Sequence, residues 1–352
     1  MCSVALFGMH YTTIFQIKHR DNVHLKIFIC EFITGGGLYR EPLPPSLLKE
    51  GEMMRDAVLR DFSEIQGLEI TLTYDARLAQ PINATQALAI GPEDDAWSIW
   101  QSCMQAADTV LLIAPESGGA LAELTLMAER LQKMILGCDY SAVRIASGKY
   151  QTYQTLKYHN IRTIPTYLYD EWQPTQGDWV AKPIDGAGCA DTTIFDDVSQ
   201  LDIWMQSRKE THIIQPLQAG IAASFSMLCK EGKAYLLACN HQKITMQAGQ
   251  IRYEGSVLNA LAQYQESFDL IAQSIAQAIP GLSGYVGVDL LVDGDDMYVV
   301  EINPRLTTSY VALHQACGVN PAGMLLDLFY NDDFEMPAIA HHTKDISLGA
   351  ER

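Results

Sequence analysis

The sequence predicts an α/β fold, with a parallel Rossmann-like unit ahead of a second unit that closes on an antiparallel hairpin. Two observations predict it. From Leu25 to Leu136, short apolar runs alternate with helix-length amphipathic stretches, the signature of βαβ units in a parallel sheet. From Gly284 to Asn303, two apolar strands flank Asp293-Gly294-Asp295-Asp296, a turn of the Asp-Gly kind that closes hairpins.

Taken in order, residues 1–24 carry little pattern and read as an N-terminal extension. Leu25 to Ile33 is the first strand and runs into Thr34-Gly35-Gly36-Gly37. That cluster lacks G-x-G-x-x-G spacing, so a dinucleotide fingerprint is absent. Gly35 and Gly36 are candidates for backbone contact with a substrate, against the plainer reading of a loop that needs backbone freedom. A helix follows over Ser46–Ile65, a strand over Leu68–Tyr74, a helix over Asp95–Ala107, a strand over Thr109–Ala114 and a helix over Ala120–Leu136. Ligands of parallel sheets bind beyond the carboxyl ends of strands. Pro115-Glu116-Ser117-Gly118 lies at such an end, and Glu116 is a candidate for holding a substrate amine; a solvated loop acid fits it as well.

The first unit thus spans 25–140, and a second begins near Ser141. Ser147 has the chemistry of an N-cap for a helix Gly148–Tyr158, and Arg162–Tyr169 reads as a strand. Lys149 puts a positive charge at a helix start, against the macrodipole, which a nearby anion would explain; an ordinary surface lysine is the alternative. Trp179–Pro183 reads as a strand carrying Lys182, followed by the glycine loop Asp185-Gly186-Ala187-Gly188. An ammonium beside glycine N–H groups suits phosphate, although the Walker A spacing is absent. Thr211–Leu217 and Ala223–Cys229 read as strands, and Tyr235–Cys239 as the return of a hairpin. His241, Lys243 and Arg252 lie beyond it. An amphipathic helix is expected over Ser256–Ile279, short helices over Leu306–Gly318 and Pro321–Phe329, and a tail without periodicity from Asn331 to the end at 352.

The hairpin carries the densest chemistry. Asp289 lies on its first strand, Glu301 and Asn303 two apart on its second, so the latter two share a face. Three hard oxygen donors meeting on an apolar sheet suit a bound cation; ordinary strand-edge acids remain the alternative. Arg305 adds a planar fork suited to a carboxylate or phosphate.

Composition narrows the function. The 352 residues hold 24 Lys+Arg against 42 Asp+Glu, a net charge of −18. Such a surface argues against nucleic-acid and anionic-membrane partners. No apolar run approaches the roughly 20 residues of a spanning helix, and the first residues make a poor signal peptide. Eight scattered cysteines without a C-x-x-C pair read as reduced thiols in a cytoplasmic protein. A homodimer is the default assembly.

The ordered set SGKYQTYQTLKYHNIRTIPTY, WVAKPIDGAG, THIIQPL and GVDLL…EINPR resembles the ATP-grasp ligases. The combination EFITGGG, LLIAPESGG and EINPRLTTSY is similar, within them, to the tyramine–glutamate ligase family of methanofuran synthesis and its methylotroph relatives. The resemblance implies an ATP-grasp fold of two lobes with the nucleotide between them, a small lobe over about 150–216 and a large one over 217–330. It implies ATP, with one or two Mg²⁺ (or Mn²⁺) held by Asp289, Glu301 and Asn303. By the same resemblance Lys149 and Lys182 meet the phosphates under a loop of Gly186 and Gly188, while Gln215, Pro216 and Leu217 meet adenine. Ser224 stands where many relatives place a ribose-binding glutamate, so ribose contact is the weak point. Arg305 and Lys182 are the catalytic candidates. The implied reaction joins a small-molecule carboxylate to an amine through an acyl phosphate. Other ATP-grasp outcomes, such as carbamate phosphorylation, and a non-catalytic ATP-binding role remain the alternatives.

Overall fold

Parallel pairing builds the first unit, and the reason lies in β1 (Leu25–Glu31), whose residues are apolar on both faces. Phe28 and Cys30 pack with Trp100 and Met104 on one side. Ile27 and Ile29 pack with Val58 and Phe62 on the other. A strand buried on two faces belongs in a sheet covered by helices on both. The computed structural model describes residues 24–186, 191–247 and 249–348. After β1 come α1 (Pro45–Ser63), β2 (Leu68–Asp75), β3 (Gln86–Ile90), α2 (Ala96–Ala106), β4 (Thr109–Ile113), α3 (Ala120–Arg130) and β5 (Met134–Ile135). The sheet order is β3-β2-β1-β4-β5, all parallel. The helix expected to reach Leu136 stops at Arg130, and Met134–Ile135 pairs with Thr109–Val110 instead.

The glycine cluster after β1 is a single π-helical turn, Ile33–Gly37, rather than an open loop. Glu31 organises it: its carboxylate accepts from the Thr34 amide (2.7 Å) and hydroxyl (2.5 Å) and from the Ile33 amide (3.3 Å). A Cβ at Gly35 would lie 3.3 Å from the Thr73 hydroxyl, and one at Gly36 (φ 97°) 2.8 Å from Ile90. These two glycines therefore serve close packing inside the first unit.

The second unit continues with α4 (Tyr140–Ser147), α5 (Lys149–Tyr158), β6 (Trp179–Pro183), β7 (Thr193–Phe195), α6 (Val198–Met205), β8 (His212–Pro216), β9 (Ile221–Lys230), β10 (Lys233–Gln247), β11 (Gln250–Leu258), α7 (Gln265–Ala278), β12 (Gly284–Asp293), β13 (Asp296–Asn303), α8 (Leu313–Cys317), α9 (Pro321–Tyr330) and β14 (Lys344–Ser347). An antiparallel sheet runs β13-β12-β9-β10-β11-β7-β6-β8, with β14 added beside β11. Phe268, Ala272 and Ile275 of α7 lay its apolar face against Phe225 and Val286 of this sheet.

Four expectations differ here. Ser147 ends α4 instead of capping α5, whose N-cap is Gly148, and its hydroxyl is buried without a partner among the described residues. Residues 162–169 form no strand: among the described residues they make single bridges, Thr163 to Val299 and Tyr167 to Ile214, and Tyr169 opens a short 3-10 turn. The expected start of the long helix at Ser256 belongs to β11, where the stretch finds strand partners on both sides. The tail is not aperiodic throughout, because β14 pairs with Gly255–Leu258. Cys30, Cys103, Cys138, Cys229, Cys239 and Cys317 are free and buried, as reduced thiols would be. Among the described residues no helix is long and apolar enough to cross a membrane.

Candidate active site

A cavity of about 900 Å³ opens between the face of the large sheet and the β6–β8 segment. The hairpin β12–β13 supplies its acidic floor. Register places Asp289 directly opposite Glu301 and Gly287 opposite Asn303, so three donors share one face. The Asn303 amide donates to Asp289 at 3.4 Å, and Gln242, reaching across β9 from β10, donates to its other oxygen at 2.9 Å. Asp289 keeps some surface toward the cavity, yet dense protein surrounds it. Burial first, and the facing Glu301 carboxylate second, push its carboxyl up to about 7. Gly287 is fixed by space: a Cβ there would lie 2.6 Å from the Thr307 methyl.

The cationic side comes from two elements. Lys149, at the first turn of α5 and 8% exposed, reaches 3.1 Å from Glu301 and also bonds the Gly186 carbonyl. Lys182 lies inside β6, is 8% exposed and lines the same cavity. Both lysines are thus held where water is scarce and anions are strongly favoured. Gly188 lies outside the described residues; Gly186 lines the cavity.

At the far edge stand Gln215, Pro216 and Leu217, with Ile164, Val180 and Leu290 as apolar walls. The Gln215 side chain donates to Thr166 at 2.8 Å, and the Leu217 amide donates to the Asp178 carbonyl at 2.8 Å. Those two donors are already spent. Ser224 lies on β9 between Asp289 and Asn240 and accepts from the Asn240 amide at 3.4 Å.

Arg305 sits just past β13. Its guanidinium donates to Glu116 at 2.8 Å and to the Leu306 carbonyl at 3.0 Å. Glu116 is 4% exposed, and its second oxygen is buried without a partner among the described residues, as is the Arg305 Nε. Glu116 and Glu301 together hold the guanidinium above its ordinary range despite burial. The loop carrying Glu116 also touches the glycine loop, where the Gly118 amide donates to Asp185 at 3.0 Å. Glu116 therefore meets the site through Arg305, while Gly35 and Gly36 lie in the first unit's own packing and not along the cavity.

Sequence reasoning did not find Glu50, Gln242, Tyr253 or Thr308, all of which line the cavity. Tyr253 shares hydrogen bonds with Ser256 (2.8 Å) and Thr308 (3.0 Å). His241 and Lys243 line it too, but Lys243 is held by Asp345 at 2.7 Å, and Arg252 does not reach it.

Two carboxylates and an amide oxygen form a hard donor set fit for Mg²⁺ or Mn²⁺. A divalent cation there would relieve the repulsion that raises Asp289. Among the described residues, no group of three or more His, Cys, Asp or Glu is placed to hold a metal, so any such site here needs the Asn303 amide.

Comparison with known proteins gives the site a context. An ATP-grasp domain family matches residues 146–309, and the pre ATP-grasp 3 domain matches 68–143. The tyramine–L-glutamate ligase of Methanocaldococcus jannaschii is 30% identical over 272 residues, covering 76% of this chain and 79% of that one. Its counterpart from Methanocaldococcus fervens is 30% identical over 292 residues, covering 82% and 89%. The crystal structure of a putative ATP-grasp superfamily protein from Archaeoglobus fulgidus superposes with a TM-score of 0.69 at 25% identity, covering 92% of this chain and all of that one.

Proposed function

The chain belongs to the ATP-grasp ligase family, and on that premise we propose that it joins glutamate to an aromatic amine such as tyramine through an acyl phosphate. The observation that carries this reading is the convergence of Lys149, Lys182, Asp289, Glu301, Asn303 and Arg305 on one cavity. The family forms amide bonds at the expense of ATP, and methanofuran-type cofactor synthesis is the setting proposed for this member.

ATP lies between a small lobe over about 150–216 and a large lobe over 217–330, behind the unit at 25–140. The apolar walls and the edge at Gln215, Pro216 and Leu217 take the adenine, through backbone groups other than the occupied Leu217 amide. Ser224 stands at the ribose, a neutral substitute for an acid. Lys149 exchanges its hold on Glu301 and the Gly186 carbonyl for phosphate oxygens, and Lys182 neutralises the neighbouring phosphate. Asp289, Glu301 and Asn303 would hold one or two Mg²⁺, which would supply neutralisation of phosphate charge.

Arg305 grips the substrate carboxylate as the γ-phosphoryl passes to it. Glu116, released in part from Arg305, offers its second oxygen to the ammonium of the glutamate substrate rather than to the incoming amine. Gly35 and Gly36 act by letting the turn pack closely on Thr73 and Ile90. No side-chain nucleophile is needed, since phosphoryl transfer rests on position and charge. The test is ADP release from Mg-ATP and glutamate against a panel of amines, with product mass read out. An amine-dependent amide mass supports the proposal; ATP binding without product under every pair overturns it.

A further inference from the structure

The reaction needs a place for the amine, and an unused acid at the mouth of the cavity fits it. Glu50 projects from α1 of the first unit, is half-buried, and lines the cavity with the phosphate-side and hairpin residues. Of the other acids that line it, Asp178 lies away at the Leu217 edge and Glu254 accepts from Thr245 at 2.9 Å, while the acids of the hairpin and of the Arg305 pair are already engaged. Glu301 faces Lys149 at 3.1 Å, Asp289 accepts from Gln242 and Asn303, and Glu116 is bound to Arg305 at 2.8 Å. Glu50 makes no hydrogen bond or ion pair with any described residue and feels Arg305 only through space. Burial raises its carboxyl above the ordinary range, and Arg305 draws it back down. α1 packs on the Thr308–Ala312 turn just beyond Arg305, so this acid stands close to the guanidinium that would hold the substrate carboxylate.

Resting on the ligase reading above, we propose that Glu50 is the amine-side residue: it binds the ammonium of the incoming amine and takes its first proton. The step balances. R–NH₃⁺ gives one proton to the Glu50 carboxylate, and the freed lone pair forms the N–C bond to the acyl carbon. The C–O bond to phosphate breaks with its electron pair on the leaving phosphate, which takes the second amine proton. Glu50 then returns its proton to solvent. A carboxyl made more basic by burial holds that proton more readily than an exposed one.

The test uses the full-length protein with Mg-ATP, glutamate and tyramine, beside the variants Glu50→Gln and Glu50→Asp. A parallel assay replaces tyramine with hydroxylamine, neutral at the assay pH, which traps the acyl phosphate as a hydroxamate. Glu50→Gln should lower kcat/KM for tyramine by about 100-fold, a typical general-base contribution. It should leave the KM for ATP and the rate of hydroxamate formation within threefold of the parent, and Glu50→Asp should restore part of the loss. Unchanged kcat/KM for tyramine in Glu50→Gln overturns the assignment of Glu50 alone. A parallel fall in hydroxamate formation also overturns it, because the residue would then serve structure or ATP. Neither amide nor hydroxamate from the parent protein overturns the ligase reading and the Glu50 role with it.

Discussion

Glu116→Gln should destabilise the protein by removing charge without removing volume. Glu116 is 4% exposed and holds Arg305 at 2.8 Å, while the Arg305 side chain is 13% exposed. Removing one partner of a buried pair costs about 3–5 kcal/mol, because the other charge is stranded. Glu301 and Glu50 also act on Arg305, and its cavity side is open, so the loss should sit below that range, at about 2–3 kcal/mol. An unfolding entropy of about 2.1 cal/mol/K per residue gives roughly 0.7 kcal/mol/K for a chain of this size. The Tm should therefore fall by about 3–4 °C. Calorimetry of Glu116→Gln, Arg305→Met and the double variant measures the coupling directly. The double variant should cost less than the sum of the singles by about 2 kcal/mol, since neither charge is then left alone. A Tm shift under about 1 °C for Glu116→Gln, or strict additivity in the double variant, refutes the reasoning.

Three further outcomes follow from the same geometry. Glu301→Gln should abolish turnover, by at least about 1000-fold, with the fold intact by circular dichroism, because the facing donor of Asp289 is lost; ordinary activity would remove Glu301 from the metal set. Lys182→Met should weaken ATP binding about 10- to 100-fold by titration calorimetry, the worth of a hydrogen bond to a charged group, and unchanged affinity would place the phosphates elsewhere. His314 bonds the buried carboxylate of Asp61 at 2.9 Å, and that bond raises the imidazole above its ordinary value. A folded-state pKa above the unfolded one gives stability that is complete below about pH 6.5 and fades as pH rises through the folded value. His314→Gln should therefore lose more Tm at pH 5.5 than at pH 8.5, and an equal loss at both would discard the linkage.

How much of this was legible in the sequence depends on the range of the forces involved. The β12–β13 hairpin is legible because an Asp-Gly turn and two apolar runs mark it locally, while the pairing of Asp289 with Glu301 is fixed by its register. The β6 strand Trp179–Pro183 was read to its ends for similar reasons. Residues 162–169 have strand composition, yet their partners Val299 and Ile214 offer one bridge each, so no ladder forms. Ser256–Leu258 sits in a stretch with helical periodicity but is claimed by β10 and β14, the latter arriving from the chain's last residues. The site was legible where residues share a strand or a turn. Glu50 and Gln242 were not, because nothing near them in the sequence marks them; only the packing of α1 on the Thr308–Ala312 turn and the breadth of β9 bring them to the cavity. Gly35 and Gly36 show the converse, since a glycine cluster looks the same whether a ligand or a neighbouring strand needs the space.

The most direct test of the central claim is the fate of carboxylate oxygen. Glutamate labelled with ¹⁸O in its carboxylates, turned over with Mg-ATP and tyramine, should transfer one ¹⁸O per turnover to inorganic phosphate, with ADP as the nucleotide product. That transfer is the trace an acyl phosphate leaves. Unlabelled phosphate accompanying amide formation, or label appearing in AMP, would contradict the account.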